Sequence, residues 1–326
     1  MRLANAVQKG MRAAMGLVLM AGLAASAARA AETELPDFEP KAGVAGDLAS
    51  VGSDTLNNLM AFWSEAIGKH YPNVRVTVEG KGSGTAPPAL AAGAAQIGPM
   101  SRHMTVAEIE EIERRRGAKP IEITVAIDCL AVYVHKDNPI AGLTLEQADG
   151  IFSRTNLRGH DEIRTWGEAG LAGEWERLPI SLYGRNAASG TYAFFKEQVL
   201  ARGDFKDTVK EQPGSATVVG GVAEDKAGIG YSGIGYRTSG VKVVPLAAKA
   251  GEPFVEATFD AAMDGTYPLG RGLLLYVVKT PGQPLDPALK EFLTFILSKE
   301  GQEIVVKDGY GALPPEIAAE QLALLE

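Results

Sequence analysis

One cysteine in 326 residues excludes a disulfide framework and a cysteine-rich zinc site. Histidine is nearly as scarce. The four, at positions 70, 103, 135 and 160, have neither H-x-x-x-H nor H-E-x-x-H spacing, so a histidine-based metal cluster has nothing to build on and no metal is expected. The nucleophile elbow G-x-S-x-G and the phosphate loop G-x-x-x-x-G-K-[ST] are both missing. What remains is 46% apolar and 22% charged with a mean hydropathy near zero. That composition belongs to an ordinary globular protein and rules out disordered, collagen-like and coiled-coil chains. The length suggests about two domains.

Arg2, Lys9 and Arg12 precede a charge-free stretch, Ala13 to Ala28, and Ala28-Arg29-Ala30 supplies small residues beyond it. Sixteen residues fall short of the roughly 20 that a bilayer span needs. The pattern is that of a secretory signal peptide over residues 1–30, cleaved after Ala30. No cysteine stands at the cleavage position for a lipid anchor. Removing the signal takes four of the 32 basic residues and none of the 40 acidic ones, leaving 28 against 40, a net −12 for the mature chain. Nucleic acid is therefore not an expected partner. Any anion must be held by local donors and dipoles.

Residues 31–47, AETELPDFEPKAGVAGD, are acidic and aperiodic and read as a flexible leader. Helices and strands then alternate. Leu56, Leu59, Met60, Trp63, Ala66 and Ile67 keep a helical spacing, and Val74, Val76 and Val78 alternate as a strand. TVAEIEEIERRRG is a second helix with Gly117 placed to end it. A β-rich run covers Ile121 to Val134, and Thr144 and Gln147 have capping-box spacing. LPISLY, IGYS, VKVVPL and GLLLYVV read as strands, TYAFFKEQVLA as a helix, and PALKEFLTFILSKEGQEIVV as one long amphipathic helix. This alternation argues for an α/β fold with largely parallel sheets.

Three clusters of Gly, Ser and Thr stand where helices begin. They are Val51-Gly52-Ser53-Asp54-Thr55, Gly82-Ser83-Gly84-Thr85 followed by Pro87 and Pro88, and Arg185-Asn186-Ala187-Ala188-Ser189-Gly190-Thr191. Each alone is explained by helix capping. Together they suit an oxyanion, because free N–H groups, hydroxyls and the positive helix ends all favour one. Arg185 adds a guanidinium fork matched to two oxyanion oxygens.

Arg185-x-x-x-Ser189-Gly190-Thr191 resembles the R-x-x-x-S-G-T motif of the periplasmic phosphate-binding proteins that feed ABC transporters. Gly52 to Thr55, Gly80 to Thr85, and Gln96-Ile-Gly-Pro-Met-Ser-Arg102 support the match, as do LAVYVHKDNP, GIGYSG and FLTFILSKEGQEIVVKDGYGALP, over about residues 48–315. The resemblance implies a two-lobed periplasmic binding protein, type II-like, each lobe a mixed sheet flanked by helices. The first lobe would comprise 48–137 and 246–326, and the second 138–245. Inorganic phosphate would be captured in the cleft without catalysis or cofactor and passed to permease subunits in the inner membrane. The protein would be a periplasmic monomer. Ser53, Asp54, Thr55, Ser83, Gly84, Thr85, Ser101, Arg102, Arg185, Ser189, Gly190 and Thr191 are the implied ligand residues. Ser101 stands where many members have the aspartate that accepts phosphate's proton, so sulfate or molybdate is an alternative ligand, and an exported phosphate-ester hydrolase a more distant one. Asp54 is either a substitute acceptor or a helix cap, and Arg102 either a second cation or a surface partner of an acid such as Glu108.

Other features receive plain readings. Gly228-Ile-Gly230-Tyr-Ser-Gly233 fits G-x-G-x-x-G but precedes no helix of the dinucleotide-binding kind. Cys129 is about 20 Å along a strand from His135, too far for a nucleophile and its base, and reads as a core thiol. Trp63, Trp166 and Trp175 read as packing residues.

Overall fold

The computed structural model describes residues 34–326, so the signal segment lies outside the described residues. The chain runs β1 (Gly46–Gly52), a 3-10 turn (Asp54–Leu56), α1 (Asn57–His70), β2 (Val74–Gly80), a second 3-10 turn (Ser83–Thr85), α2 (Ala86–Ala92), β3 (Gly98–Met100), α3 (Val106–Arg116) and the long β4 (Ile121–His135). It continues through β5 (Leu143–Thr144), α4 (Leu145–Phe152), β6 (Ser181–Arg185), α5 (Gly190–Gln198), β7 (Lys210–Gln212), α6 (Ser215–Glu224), β8 (Gly228–Gly233), β9 (Val241–Val243) and β10 (Leu246–Ala247). It ends with α7 (Phe259–Met263), β11 (Gly270–Val277), α8 (Pro287–Ile296), α9 (Lys299–Lys307) and α10 (Pro315–Ala323).

Several local signals act as their chemistry dictates. Thr105 and Glu108 form a capping box at the start of α3, and Gly117 ends that helix at φ 73°. Thr144 and Gln147 do the same for α4. The expected long C-terminal helix is instead two. Ser298 takes an extended conformation and its hydroxyl accepts the Gly301 N–H, so a new cap starts α9 where one helix was expected to run through.

The main sheet has the order β3-β11-β4-β8-β6-β7, with β9 also on β4. It is mixed, not largely parallel. Ile121 to Cys129 of β4 pair antiparallel with β11, and Leu130 to His135 pair antiparallel with β8 and β9, while β6 lies parallel to β7 and β8. A strand that carries the chain out of one lobe is naturally flanked by strands running the other way. The β1–β2 pair is parallel and joins the β3 side through the Ser50–Ile97 bridge.

Helices cover both faces of each half. At one end, Leu273, Leu275 and Val277 face the core of Trp63, Phe292 and Phe295, while Leu274 and Tyr276 face Leu90 and Ile112. At the other, Leu130, Val132 and Val134 face Phe152, Trp166 and Phe195, and Ala131 and Tyr133 face Val218 and Val222. This alternation is the two-residue period of a strand buried on both sides. The core changes between Ile127 and Cys129 and back between Leu269 and Leu273. Both changes lie inside the expected first lobe, because the apolar run of β4 carries no punctuation at the crossing. Trp175 meets Trp166 edge to face, and the buried Cys129 thiol, pushed by burial up to about 12, donates to the Thr258 carbonyl.

The segment expected as a flexible leader is, over 34–47, laid against the first lobe. Phe38 packs edge-on against Phe295 and His70. The Lys299 N–H donates to the Pro36 carbonyl, and Lys41 pairs with Glu291 at 2.9 Å. The Tyr71 hydroxyl donates to the same buried carboxylate at 2.8 Å and accepts the Lys41 N–H at 2.7 Å. Acidic composition concealed an apolar anchor flanked by a cation with a buried partner. Tyr71→Phe removes both hydrogen bonds and should lower stability by about 1–3 kcal/mol, read by urea unfolding. An unchanged midpoint would show that the segment is not held through Glu291.

Candidate functional site

The three N-terminal loops are tied together by backbone before any side chain acts. Gly82 N–H donates to the Gly52 carbonyl at 2.8 Å, and Ser53 N–H to the Pro99 carbonyl at 2.8 Å. Gly82 holds φ +117°, a region that glycine enters without strain. The result brings together Ser53, Ser83 and Ser101, all buried. The Ser53 hydroxyl donates to Ser101 Oγ at 3.1 Å, Ser101 and Ser83 share a bond of 3.3 Å, and the Ser101 N–H donates to Ser83 Oγ at 3.0 Å.

The second lobe meets this row with the start of α5. Ser189 caps that helix by accepting the Tyr192 N–H. The Gly190 backbone lies so close that a Cβ there would collide with the Ser83 and Ser101 hydroxyls. Thr191 shares a 3.0 Å bond with Thr55, and the Gly84 N–H donates to the Ala188 carbonyl at 2.9 Å. The N-terminus of α5, whose first N–H groups have no acceptor within their own helix, therefore lies against hydroxyls from the other lobe.

Arg185 ends β6, and its side chain is 1% exposed. Its Nη1 donates to Ser215 Oγ at 2.7 Å and lies 3.2 Å from Asp54 Oδ2, while Nη2 donates to the Pro213 carbonyl. Nε is buried without a partner. Burial lowers the Arg185 pKa and the Asp54 carboxylate opposes that shift; the group stays a cation at physiological pH. Asp54 also accepts the Ser215 N–H at 2.7 Å. It does not cap its own turn, which Ser53 caps, but satisfies the first N–H of α6.

Two expected ligand residues stand apart. Arg102 makes a two-pronged pair with Glu108, at 2.8 and 2.6 Å, and donates to the His103 carbonyl, so its guanidinium is engaged at the α3 cap. The Thr85 hydroxyl turns back to donate to the Gly82 carbonyl of its own loop.

Residues that sequence reasoning passed over complete the arrangement. Arg271 and Asp128 face each other across β11 and β4 and form a buried pair, Nη2 to Oδ2 at 2.7 Å. Tyr236 donates to the Asp54 carbonyl at 2.9 Å. Asp128 inside an apolar strand run was a readable sign of buried pairing, but the register that joins it to Arg271 was not. The cluster thus holds two guanidiniums, two carboxylates and a set of hydroxyls, and local charge nearly cancels. The four histidines are bonded elsewhere, to Glu300, Glu122, Asp137 and the Asp161 carbonyl. Among the described residues there is no cluster of potential metal ligands, and no helix is long and apolar enough to cross a membrane.

Residues 38–300 match the family described as the PBP superfamily domain. The phosphate-binding protein PstS of Pseudomonas aeruginosa is 51% identical over 311 residues, 95% of this chain and 96% of that one. The chain belongs to the PstS family of phosphate-binding proteins. Its fold is shared with an ABC-type phosphate transport receptor from Vibrio cholerae at 26% identity and a TM-score of 0.63, covering 82% of this chain and 100% of that one. A substrate-binding protein from Clostridium perfringens with bound phosphate superposes at a TM-score of 0.69 and 25% identity, with the same coverage. PstS membership accords with the two-lobed α/β architecture and with the loops that meet between the two cores.

One carboxyl beside the cluster is out of the ordinary. Asp308, just after α9, packs its backbone on Gly235 of the turn that carries Tyr236, and its Oδ2 has no partner. Burial raises its pKa from 3.8 to about 6, with a hydrogen bond from Asn58 acting the other way. The unfolded chain therefore ionises first, and this group's contribution to stability is lost as pH rises from about 4 through about 6. Asp308→Asn should raise the melting midpoint little near pH 4 and most at neutral pH and above. An equal rise at both ends of a pH series of melts would refute the assignment.

Proposed function

We propose that this protein captures inorganic phosphate in the cleft between its lobes and hands it, chemically unchanged, to the permease of an ABC transporter. The observation that carries this reading is the buried Arg185, fixed by Asp54 and Ser215, beside hydroxyl loops from both lobes. The named relatives support it. Ser53, Thr55, Ser83, Gly84, Ser101, Arg185, Ser189, Gly190 and Thr191 form the coordination shell, with Asp54 at its edge. The protein is exported by cleavage after Ala30 and acts as a periplasmic monomer. The lobes exchange at the β4–β11 crossing.

Binding is a competition of hydrogen bonds. Hydroxyls that bond one another here can rotate to donate to an anion, and the start of α5 lies against them. Each charge-assisted bond contributes about 1.5–3 kcal/mol, so a handful reaches the roughly 8 kcal/mol of micromolar affinity. Since the shell draws on both lobes, closure completes it, and the ligand favours the closed form by its differential affinity.

Calorimetry on the refolded chain 31–326 tests the ligand directly. Phosphate should bind tightly and sulfate weakly. Arg185→Ala should abolish tight binding with the fold intact by circular dichroism, and undiminished affinity would remove the site assignment.

Discrimination needs an acceptor for phosphate's proton. Asp54 Oδ1 carries no hydrogen bond among the described residues, whereas the Ser101 hydroxyl both accepts and donates. Asp54→Asn should therefore narrow the preference for phosphate over sulfate. A preference left as wide as in the parent would shift that duty to Ser101.

A further inference from the structure

Arg271 is costly where it lies. Its side chain is 4% exposed and that of Asp128 is fully buried, and a buried pair is often no more stabilising than apolar residues of the same size. Its contacts explain the placement. Nε donates to Asp128 at 2.9 Å, Nη1 to the Ser101 carbonyl at 2.9 Å, and Nη2 to the Thr191 hydroxyl at 3.1 Å. Ser101 belongs to the first lobe's loops and Thr191 to the second lobe's helix, so one guanidinium touches the hydroxyl cluster from both sides. The group lies 5.2 Å from the Phe194 ring centre, on α5. Asp128 uses its other oxygen to accept the Ile234 N–H at 3.1 Å, at the start of the turn whose Tyr236 reaches the Asp54 carbonyl.

We propose that Arg271 is a second anion-contacting cation of the cleft, oriented by Asp128 and placed to bond phosphate only when Ser101 and Thr191 have come together. This rests on the phosphate reading above. The direct pairing of Arg271 with Asp128 across β11 and β4 fixes the guanidinium at the base of the cleft. An oxyanion oxygen near Thr191 would accept the Nη2 hydrogen bond that the Thr191 hydroxyl now accepts. Asp128 keeps the site from gaining a net charge that would draw any anion.

The test titrates inorganic phosphate by calorimetry, with thermal melts on the same samples. The double variant Arg271→Gln/Asp128→Asn removes both charges and leaves no lone buried ion. It should melt near the parent and bind phosphate on the order of 100-fold more weakly, the worth of one to two charge-assisted bonds. Arg271→Lys keeps the charge and loses the fork, and should recover about a tenth to a half of that loss on the logarithmic scale of affinity. A double variant that binds phosphate like the parent would overturn the proposal. So would a loss of affinity that merely follows the loss in melting midpoint across both variants. A parent that ignores phosphate would instead overturn the reading on which the proposal rests.

Discussion

The antiparallel pairing of β4 with β11 is the constraint on which the rest depends. β4 is long enough to serve two cores in turn, its first half packed in one and its second half in the other. At the changeover, the strand pair places Asp128 opposite Arg271 and Cys129 opposite Gly270. Everything that meets in the cleft hangs from this point: the three hydroxyl loops on one side, Arg185 and the start of α5 on the other. Two lobes joined through continuous strands can rock about that line without losing their own cores, because each carries helices on both faces.

A chain with a formal net charge of −8 is a poor attractor of anions at long range. The site answers with short-range chemistry. Both guanidiniums are matched by carboxylates, so the cleft offers directed donors without a large positive field. Such a site selects by geometry. A buried neutral arrangement also resists ions of the wrong shape, since each leaves a donor or an acceptor unpaired at the full cost of its desolvation.

Much of this was legible in the chain because local chemistry wrote it. The Thr105 and Thr144 boxes, the Gly117 stop and the Ser189 cap need no tertiary context, and the R-x-x-x-S-G-T spacing led to Arg185. What escaped reading was set by long-range pairing. Nothing near Asp128 announces that a residue 143 positions later will face it, and the lobe crossing hides inside an unbroken apolar strand. Of the two readings open for Arg102, the sequence also named the pair with Glu108, a turn into the next helix, which the structure forms. The anchored segment 34–47 shows the limit of composition, since Phe38 and Lys41 act through partners at 295 and 291.

The preference for serine and threonine around the cleft has a physical reason beyond helix capping. A carboxylate can only accept and an ammonium can only donate, so a site built from them alone would have to remain wet or unpaired when the loops meet. Hydroxyls do both. Ser53, Ser101 and Ser83 form one chain of bonds, and Thr55 and Thr191 another, so the lobes can touch with few buried polar groups unsatisfied. One exception is Arg185 Nε, which stays buried without a partner. An orphaned donor on a fixed cation costs free energy until an acceptor arrives, and that cost makes the difference in affinity between an open and a closed cleft larger for a ligand that supplies one.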